Sequence, residues 1–298
     1  MGDFRLKVFK CAAKYRSFTK ASEELLISQP AITKHIKELE TEYQTRLFER
    51  VGNRLILTVA GELLLEHSEH ILECYEKLAY DMSTLRNEHA GGLRIGASQT
   101  IMQYILPSLL AKYINLYPKV ELFVKNGNSE EMEQALLNHE VHLALVEGST
   151  RHSNLKYTPF LKDELIAVVN STCSWGKQES ITIEELKKIP LVLREHGSGT
   201  LNVFAATLLR KKVKMTDLNI RLHLGSTESI KRFLLKTDCM GIISIRSVRD
   251  ELLKGSLKVL EIIDLPILRD FSIVQHHGQE TGLADQFLRL LEQKKKEL

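Results

Sequence analysis

Between Thr58 and Arg86 the chain contains no proline, and its one glycine, Gly61, falls in the first turn of the helix that this composition predicts. Within that stretch Leu64, Ile71, Leu78 and Leu85 recur every seven residues, with Tyr75 and Met82 on the adjoining seam. A seven-residue apolar repeat keeps one stripe facing a partner helix, so these six residues are the candidate dimerisation contacts. Ser68 interrupts the second seam, and so few heptads also suit a long surface helix packed on its own body. Either way the segment divides the chain, and charge follows the division. Residues 1–60 carry 11 Lys and Arg against 7 Asp and Glu, residues 61–90 carry 2 against 7, and residues 91–298 carry 28 against 24. A basic head (1–60), an acidic connector (61–90) and a large mixed body (91–298) are expected, and the basic head suggests a polyanionic partner.

The head reads as three short helices and a hairpin. Phe4, Leu6, Val8, Phe9, Ala12 and Ala13 lie near helical spacing over residues 4–15. Ser17-Phe18-Thr19 breaks that pattern, and Thr19 is the expected N-cap of a second helix running through Leu26. Ser28 precedes Gln29-Pro30, and proline suits a first helical turn, where its missing N–H has no partner to lose. The third helix is expected from about Pro30 to Glu42, burying Ala31, Ile32, Ile36 and Leu39 and exposing Gln29, Thr33, Lys34 and Lys37. Gly52-Asn53 then forms a tight turn between short strands that carry Arg50 and Arg54. This is the pattern of a winged helix-turn-helix. Gln29 can pair with adenine, Thr33 can touch a thymine methyl, and Lys34 can reach guanine or phosphate. Arg50 and Arg54 on the wing would meet phosphates or the minor groove, and Thr19, Ser28, Pro30 and Lys37 complete the candidate DNA-binding set. On residues alone, a protein-docking module stays open, because surface lysines often face only water.

The stretch from Ala21 through Ser28-Gln29-Pro30-Ala31-Ile32-Thr33-Lys34-His35-Ile36 to Glu40 resembles the N-terminal signature of LysR-type bacterial transcriptional regulators. So does Leu47-Phe48-Glu49-Arg50 followed by Leu57-Thr58-Val59-Ala60-Gly61. The resemblance implies a cytoplasmic regulator whose linker helix pairs two subunits and spaces their DNA-binding heads. The partners it implies are double-stranded DNA, further copies of the chain in a homodimer or homotetramer, a small-molecule effector and, as a candidate, RNA polymerase.

His89-Ala90-Gly91-Gly92 is a hinge signal, and beyond it short apolar runs alternate with amphipathic stretches. Strands are expected at Leu93–Ala97, Val120–Val124, Leu143–Val146, Leu165–Val169, Leu191–Leu193, Ile220–Leu224, Gly241–Ser244 and Leu257–Leu260. Helices are expected at 103–116, 129–138, 182–188, 200–212, 227–236 and 246–254. The alternation predicts an α/β fold with a largely parallel sheet in two sets of elements, each the size of a small lobe. Ligands in such sheets sit beyond the strands' carboxyl ends, where helix N-termini favour anions. Three junctions there carry hydroxyls or glycines: Ser98-Gln99-Thr100, Gly197-Ser198-Gly199-Thr200 and Ser226-Thr227. Each is also compatible with ordinary capping. Together they form the candidate site for a small effector, a carboxylate or other oxyanion.

The body also resembles the LysR-type effector-binding domain, whose two-lobed α/β fold is similar to periplasmic solute-binding proteins. That resemblance implies a first lobe of about 91–162 plus 267–298, and a second of about 163–266. In the subgroup that Gly197-Ser198-Gly199-Thr200 resembles, an arginine often follows; here Leu201 stands instead, so a cation that could pair with the ligand is missing there.

Other classes find little support. No apolar run approaches the ~18 residues of a membrane span, and the charged start Asp3, Arg5, Lys7 does not resemble an export signal. Cys11, Cys74, Cys173 and Cys239 are scattered and read as free thiols. The pairs His67/His70, His139/His142 and His276/His277 read as surface histidines rather than metal ligands. The glycine-rich runs fit neither a phosphate-binding loop nor a nucleophile elbow, so no catalytic residue, metal or cofactor is expected. The alternative within the regulator reading is a DNA-binding protein whose C-terminal domain mainly oligomerises and senses no ligand.

Overall fold

A computed structural model describes residues 3–52, 54–86, 89–148, 151–277 and 282–297. The chain divides into two compact units, Met1–Gly91 and Gly92–Leu298. Among the described residues no helix is long and apolar enough to cross a membrane.

In the first unit, α1 (Phe4–Tyr15) is capped by Asp3, whose carboxylate accepts from the Arg5 N–H at 3.0 Å. Helix α2 (Phe18–Leu25) is capped by Ser17, not Thr19: the Ser17 hydroxyl accepts from Lys20 N, which leaves Thr19 exposed inside the first turn. Leu26 ends α2 in the left-handed conformation, with φ 53°. Helix α3 (Gln29–Glu42) starts one residue earlier than expected, with Ser28 as N-cap and Pro30 in its first turn. Ile32, Ile36 and Leu39 enter a core with Leu6, Val8, Phe9 and Ala12, whereas Ala31 is only half-buried and Phe4 is largely exposed. Strands β1 (Phe48–Val51) and β2 (Arg54–Leu57) pair antiparallel, and Val51 opposite Arg54 sets a two-residue turn. Gly52 adopts φ 61° there, a conformation that favours glycine; Asn53 lies outside the described residues.

Helix α4 (Val59–Thr84) follows, with the Thr58 hydroxyl accepting from Gly61 N. Its apolar stripe has two fates. Leu64 and Leu72 are buried in the head's core, and Ser68 between them has no exposure, its small side chain allowing close packing. Leu64 is therefore a core residue of its own chain, which corrects its assignment to the dimer seam. A helix of 26 residues, about 39 Å at 1.5 Å per residue, outruns the head. Ile71, Tyr75, Leu78 and Met82 continue the stripe on uncovered turns, and Leu85, 79% exposed, lies just past the helix end.

The second unit runs β3 (Gly91–Ser98), α5 (Gln99–Tyr104), α6 (Leu106–Leu116), β4 (Val120–Gly127), α7 (Ser129–Leu137), β5 (Leu143–Glu147) and β6 (Leu155–Asn170). It continues with β7 (Ser180–Ile181), α8 (Ile183–Leu186), β8 (Leu191–Arg194), α9 (Gly199–Arg210), β9 (Ile220–Leu224) and α10 (Thr227–Leu234). Strand β10 (Met240–Ser244), α11 (Arg249–Leu253), β11 (Leu257–Val259), β12 (Glu261–Ile262), β13 (Ile267–His276) and α12 (Gly282–Glu297) complete it. The helix expected over 103–116 is two helices, broken at Ile105 just ahead of Pro107.

The α/β class holds, but the sheet is mixed rather than largely parallel. Its order is β4-β3-β5-β13-β6-β10-β8-β9, with β11 also on β6. The pairs β3–β5, β8–β10 and β8–β9 are parallel; β5–β13, β13–β6 and β6–β10 are antiparallel. The long strands β6 and β13 pair from Leu155–His276 to Leu165–Ile267 and carry the sheet from one lobe to the other. Each lobe has its own apolar core: Met132, Leu136, Val146 and Val274 on one side, Leu165, Leu191, Phe204 and Ile242 on the other.

Candidate nucleic-acid interface and ligand cleft

Packing of Ile32, Ile36 and Leu39 turns the opposite face of α3 outward. Gln29, Pro30, Lys34 and Lys37 are exposed on it and, with half-buried Thr33, line a groove of about 820 Å³. The Thr33 hydroxyl donates to the Gln29 carbonyl at 3.1 Å, and the Ser28 hydroxyl is engaged as the cap at 3.4 Å from Ala31 N. Both hydroxyls thus shape the helix start. Lys34 and Lys37 precede Glu38, Glu40 and Glu42 along α3, so the face offers a polyanion its positive, N-terminal side. The helix dipole has the same sign there. Arg5 adds little, because Asp3 and Glu42 hold it at 2.6 Å each. Arg50 and Arg54 are exposed on the two strands of the wing.

In the second unit the carboxyl ends of β3, β5, β8 and β10 converge on the crossing strands. Ser98 and Ser198 are the N-caps of α5 and α9, and neither side chain makes a capping bond. Both are at most 1% exposed, and their hydroxyls have no hydrogen-bond partner. Burying such a group unpaired costs roughly 1–3 kcal/mol. The Ser68 and Ser272 hydroxyls share that state, and it is the place of Ser98 and Ser198 at two helix starts that makes them candidate ligand contacts. Thr100 donates to the Glu147 carboxylate at 3.0 and 3.2 Å. Thr200 accepts from Arg269 at 3.0 Å. Arg269 also meets Glu147, and its Nε donates to Asp163 at 2.7 Å. Asp163 is anchored further by the Ser244 hydroxyl at 2.7 Å. Opposite charges so arranged make a buried cluster whose members come from both lobes and from β6 and β13.

The lobes touch closely above it. A Cβ on Gly199 would stand 1.8 Å from the Glu147 carbonyl oxygen, so only glycine fits. Gln99 donates across to the Gly225 carbonyl at 2.5 Å, and Asn128 to the His196 carbonyl at 3.4 Å. Gly197, at φ 82°, lies beside Asn128 and Glu130, and Glu130 N donates to its carbonyl. At the third junction the Ser226 hydroxyl caps α10 by accepting from Ser229 N, and buried Thr227 accepts from Arg194 at 3.4 Å. That junction is thus occupied by the protein's own bonds. Beside it Tyr104 donates to Glu228, whose partner Lys231 lies at 2.7 Å. Burial, and then the bond to Glu228, push the Tyr104 hydroxyl's pKa well up. Burial works to raise Glu228, but the bonds from Lys231 and Tyr104 outweigh it and hold that carboxyl low.

The spatially central residues Glu147, Asp163 and Arg269 were absent from the sequence candidates, since their partners lie 47 to 122 positions away. Leu201 packs into the apolar core of its lobe, and the guanidinium beside Thr200 comes from Arg269 instead. Two histidine readings change. His142 is buried, its Nδ1 accepting from Arg94 N, and the His139 and His276 rings stack at 4.4 Å.

Residues 4–62 match the family described as bacterial regulatory helix-turn-helix protein, lysR family, and residues 86–296 match the LysR substrate binding domain. The HTH-type transcriptional regulator CysL of Bacillus subtilis strain 168 is 32% identical over 274 residues, 90% of this chain and 89% of its own. The regulatory domain of CcmR from Synechocystis PCC6803, solved in complex with 2-PG, is 28% identical, covers 69% of this chain and 98% of that one, and superposes with a TM-score of 0.63. Full-length OxyR from Pseudomonas aeruginosa, solved as a cysteine-to-aspartate variant and 19% identical, covers 99% of this chain and 95% of its own with a TM-score of 0.73, a likeness of fold. With both domains matched and a regulator 32% identical along nine-tenths of it, the chain belongs to the LysR family of bacterial helix-turn-helix transcriptional regulators.

Proposed function

We propose that this regulator reads a dyad-symmetric DNA site with paired heads and that its interlobe cleft senses a small oxyanion, a carboxylate, sulfate or phosphate ester. The observation that carries the ligand reading is the pair of buried, unpartnered hydroxyls, Ser98 and Ser198, at the starts of α5 and α9. Hydroxyls and free N–H groups at a helix start suit an anion. The 2-PG complex of the CcmR domain supports the same class of ligand. Gln29 and Lys34 would read base edges, and Lys37, Arg50 and Arg54 would hold phosphates. The uncovered stripe of Ile71, Tyr75, Leu78, Met82 and Leu85 would pair two chains. Ligand-dependent closure of the lobes would then alter the spacing of the paired heads, a coupling worth about 1–3 kcal/mol, or ~5- to 150-fold in affinity. Sulfate, inorganic phosphate, acetate and 2-PG, each added to the full-length protein at constant ionic strength, test it through the dissociation constant for a DNA fragment that the protein selects from a random pool. A shift in that range with one anion supports the reading. Constant affinity across all four refutes the oxyanion sensor and favours a C-terminal domain that only oligomerises.

A further inference from the structure

We infer that Glu147 is a tethered occupant of the anion position in the cleft, and that an effector anion acts by displacing it. The inference rests on the reading that the cleft takes an oxyanion, and it adds how the empty cleft is held. The Glu147 carboxylate makes the bonds that a bound anion would make. It accepts from Thr100 in the first turn of α5 and lies against Arg269, which also donates to Thr200 in the first turn of α9. All four side chains are almost wholly buried. The unpartnered Ser98 and Ser198 hydroxyls belong to the same two helix starts.

Arg269 has a second carboxylate, but the two are not equivalent. Asp163 sits directly across from Arg269 in the β6–β13 register and is fixed from the other side by the Ser244 hydroxyl. Glu147 is the last residue of β5 and precedes Gly148, which adopts φ 118°. The Glu147 backbone is fixed by the β5–β13 ladder and the Ser129 hydroxyl, so only its side chain can exchange. That carboxylate is held by Thr100 and Arg269, whereas Asp163 is held by Arg269, Ser244 and Arg246. An arriving oxyanion would take the Thr100 hydroxyl and the Arg269 Nη1 that Glu147 now holds. The freed Glu147 side chain, whose Cγ stands against Gly199, would leave that seam while its carbonyl stays bonded to Ser129, so exchange of one carboxylate for another is felt where the lobes touch.

The test uses full-length protein carrying Glu147→Ala, which empties the position, and Glu147→Gln, which keeps its volume and removes its charge. Acetate is the probe for Glu147→Ala, since it restores the deleted carboxylate, and sulfate is the probe for both; potassium chloride at matched ionic strength is the control. The expected result is that acetate raises the melting temperature of Glu147→Ala but not of wild type. Sulfate should bind both variants at least roughly tenfold more tightly than wild type, or about 1.4 kcal/mol. Glu147→Gln keeps the test decisive if Glu147→Ala fails to fold. Variants that fold but bind neither anion better than wild type overturn the inference. If wild-type DNA affinity still responds to an oxyanion in that case, the sensor reading survives without it. If Glu147→Ala takes up acetate while wild-type DNA affinity responds to no anion, the tethered occupant stands and the sensor reading falls.

Discussion

Truncating two leucines of one helical stripe should have opposite consequences. Leu64 is 9% exposed and packs among the head's core residues, whereas Leu78, two heptads on, is 55% exposed on the uncovered part of the same helix. Leu64→Ala removes three carbon groups, worth about 2.4 kcal/mol at ~0.8 kcal/mol each, before any cavity cost is added. At about 1.4 kcal/mol per factor of ten, that is a ~50-fold loss of hydrogen-exchange protection for the slowest amides of α1–α3. Leu78→Glu leaves those amides within about 0.5 kcal/mol of wild type, because it removes no contact within the head. It should instead abolish one step of association, seen as a halved mass in sedimentation at micromolar protein. Peptide-resolved hydrogen exchange and sedimentation on the same samples read both effects. Unchanged head protection in Leu64→Ala would refute its place in the core. Wild-type mass for Leu78→Glu would refute pairing through the exposed stripe.

Gly199→Ala should lower the melting temperature of the C-terminal unit, because its Cβ would meet the backbone oxygen of Glu147 at 1.8 Å and overpacking costs roughly 1–3 kcal/mol; an unchanged melt refutes the close approach. Burial raises the Glu133 carboxyl's pKa against the pull of its bond from Tyr157, so the folded state holds that proton more tightly than the unfolded chain does. Stability from this group is therefore present at low pH and lost as pH rises through the raised value. Glu133→Gln should melt higher than wild type at pH 7, with the difference vanishing below the ordinary carboxylate range; a difference that persists in acid contradicts the assignment. Gln29→Ala should narrow the gap in affinity between a selected DNA site and a scrambled one, while Arg54→Ala weakens both alike, as binding titrations at fixed salt would measure. Equal losses on both fragments for Gln29→Ala would remove it from base reading.

Local chemistry made much of this molecule legible. Ser28 before Gln29-Pro30, Gly52-Asn53 between apolar runs, and the proline-free stretch after Thr58 each dictate a cap, a turn or a helix within a few residues. Ser17 displaced Thr19 as a cap because both carry a hydroxyl, and only the observed backbone distinguishes them. The head's claim on Leu64 and Ser68 was hidden for another reason: a buried stripe has the same period whether it faces its own chain or a second one. Strand β13 and the first ten residues of β6 escaped more completely, although Leu165–Val169 at the end of β6 was legible as a strand. Lys156, Thr158, Pro159, Lys162 and Glu164 are exposed along the first ten residues of β6, so no continuous apolar run announces that part of it. Without β13 and that first part of β6 the sheet reads as largely parallel.

The candidate cleft shows the same division between local and distant information. Ser98, Thr100, Ser198 and Thr200 were legible because a strand-to-helix junction needs hydroxyls and glycines in consecutive positions. The ionic groups between them were not, because charge is matched in space and leaves no period in sequence. Position 201 makes the point: read along the chain, a leucine there removes a cation from beside the Gly-Ser-Gly-Thr run. In the fold, Leu201 is a core residue of its lobe, and a guanidinium reaches Thr200 from Arg269, 69 residues away. The cation's strand also pairs with both Asp163 and the end of β5, so it is held at the line where the lobes join. A cation supplied from the first turn of α9 would belong to one lobe alone. One supplied from β13 sits where movement of either lobe changes its surroundings, which is where a charge must lie if ligand and closure are to depend on each other.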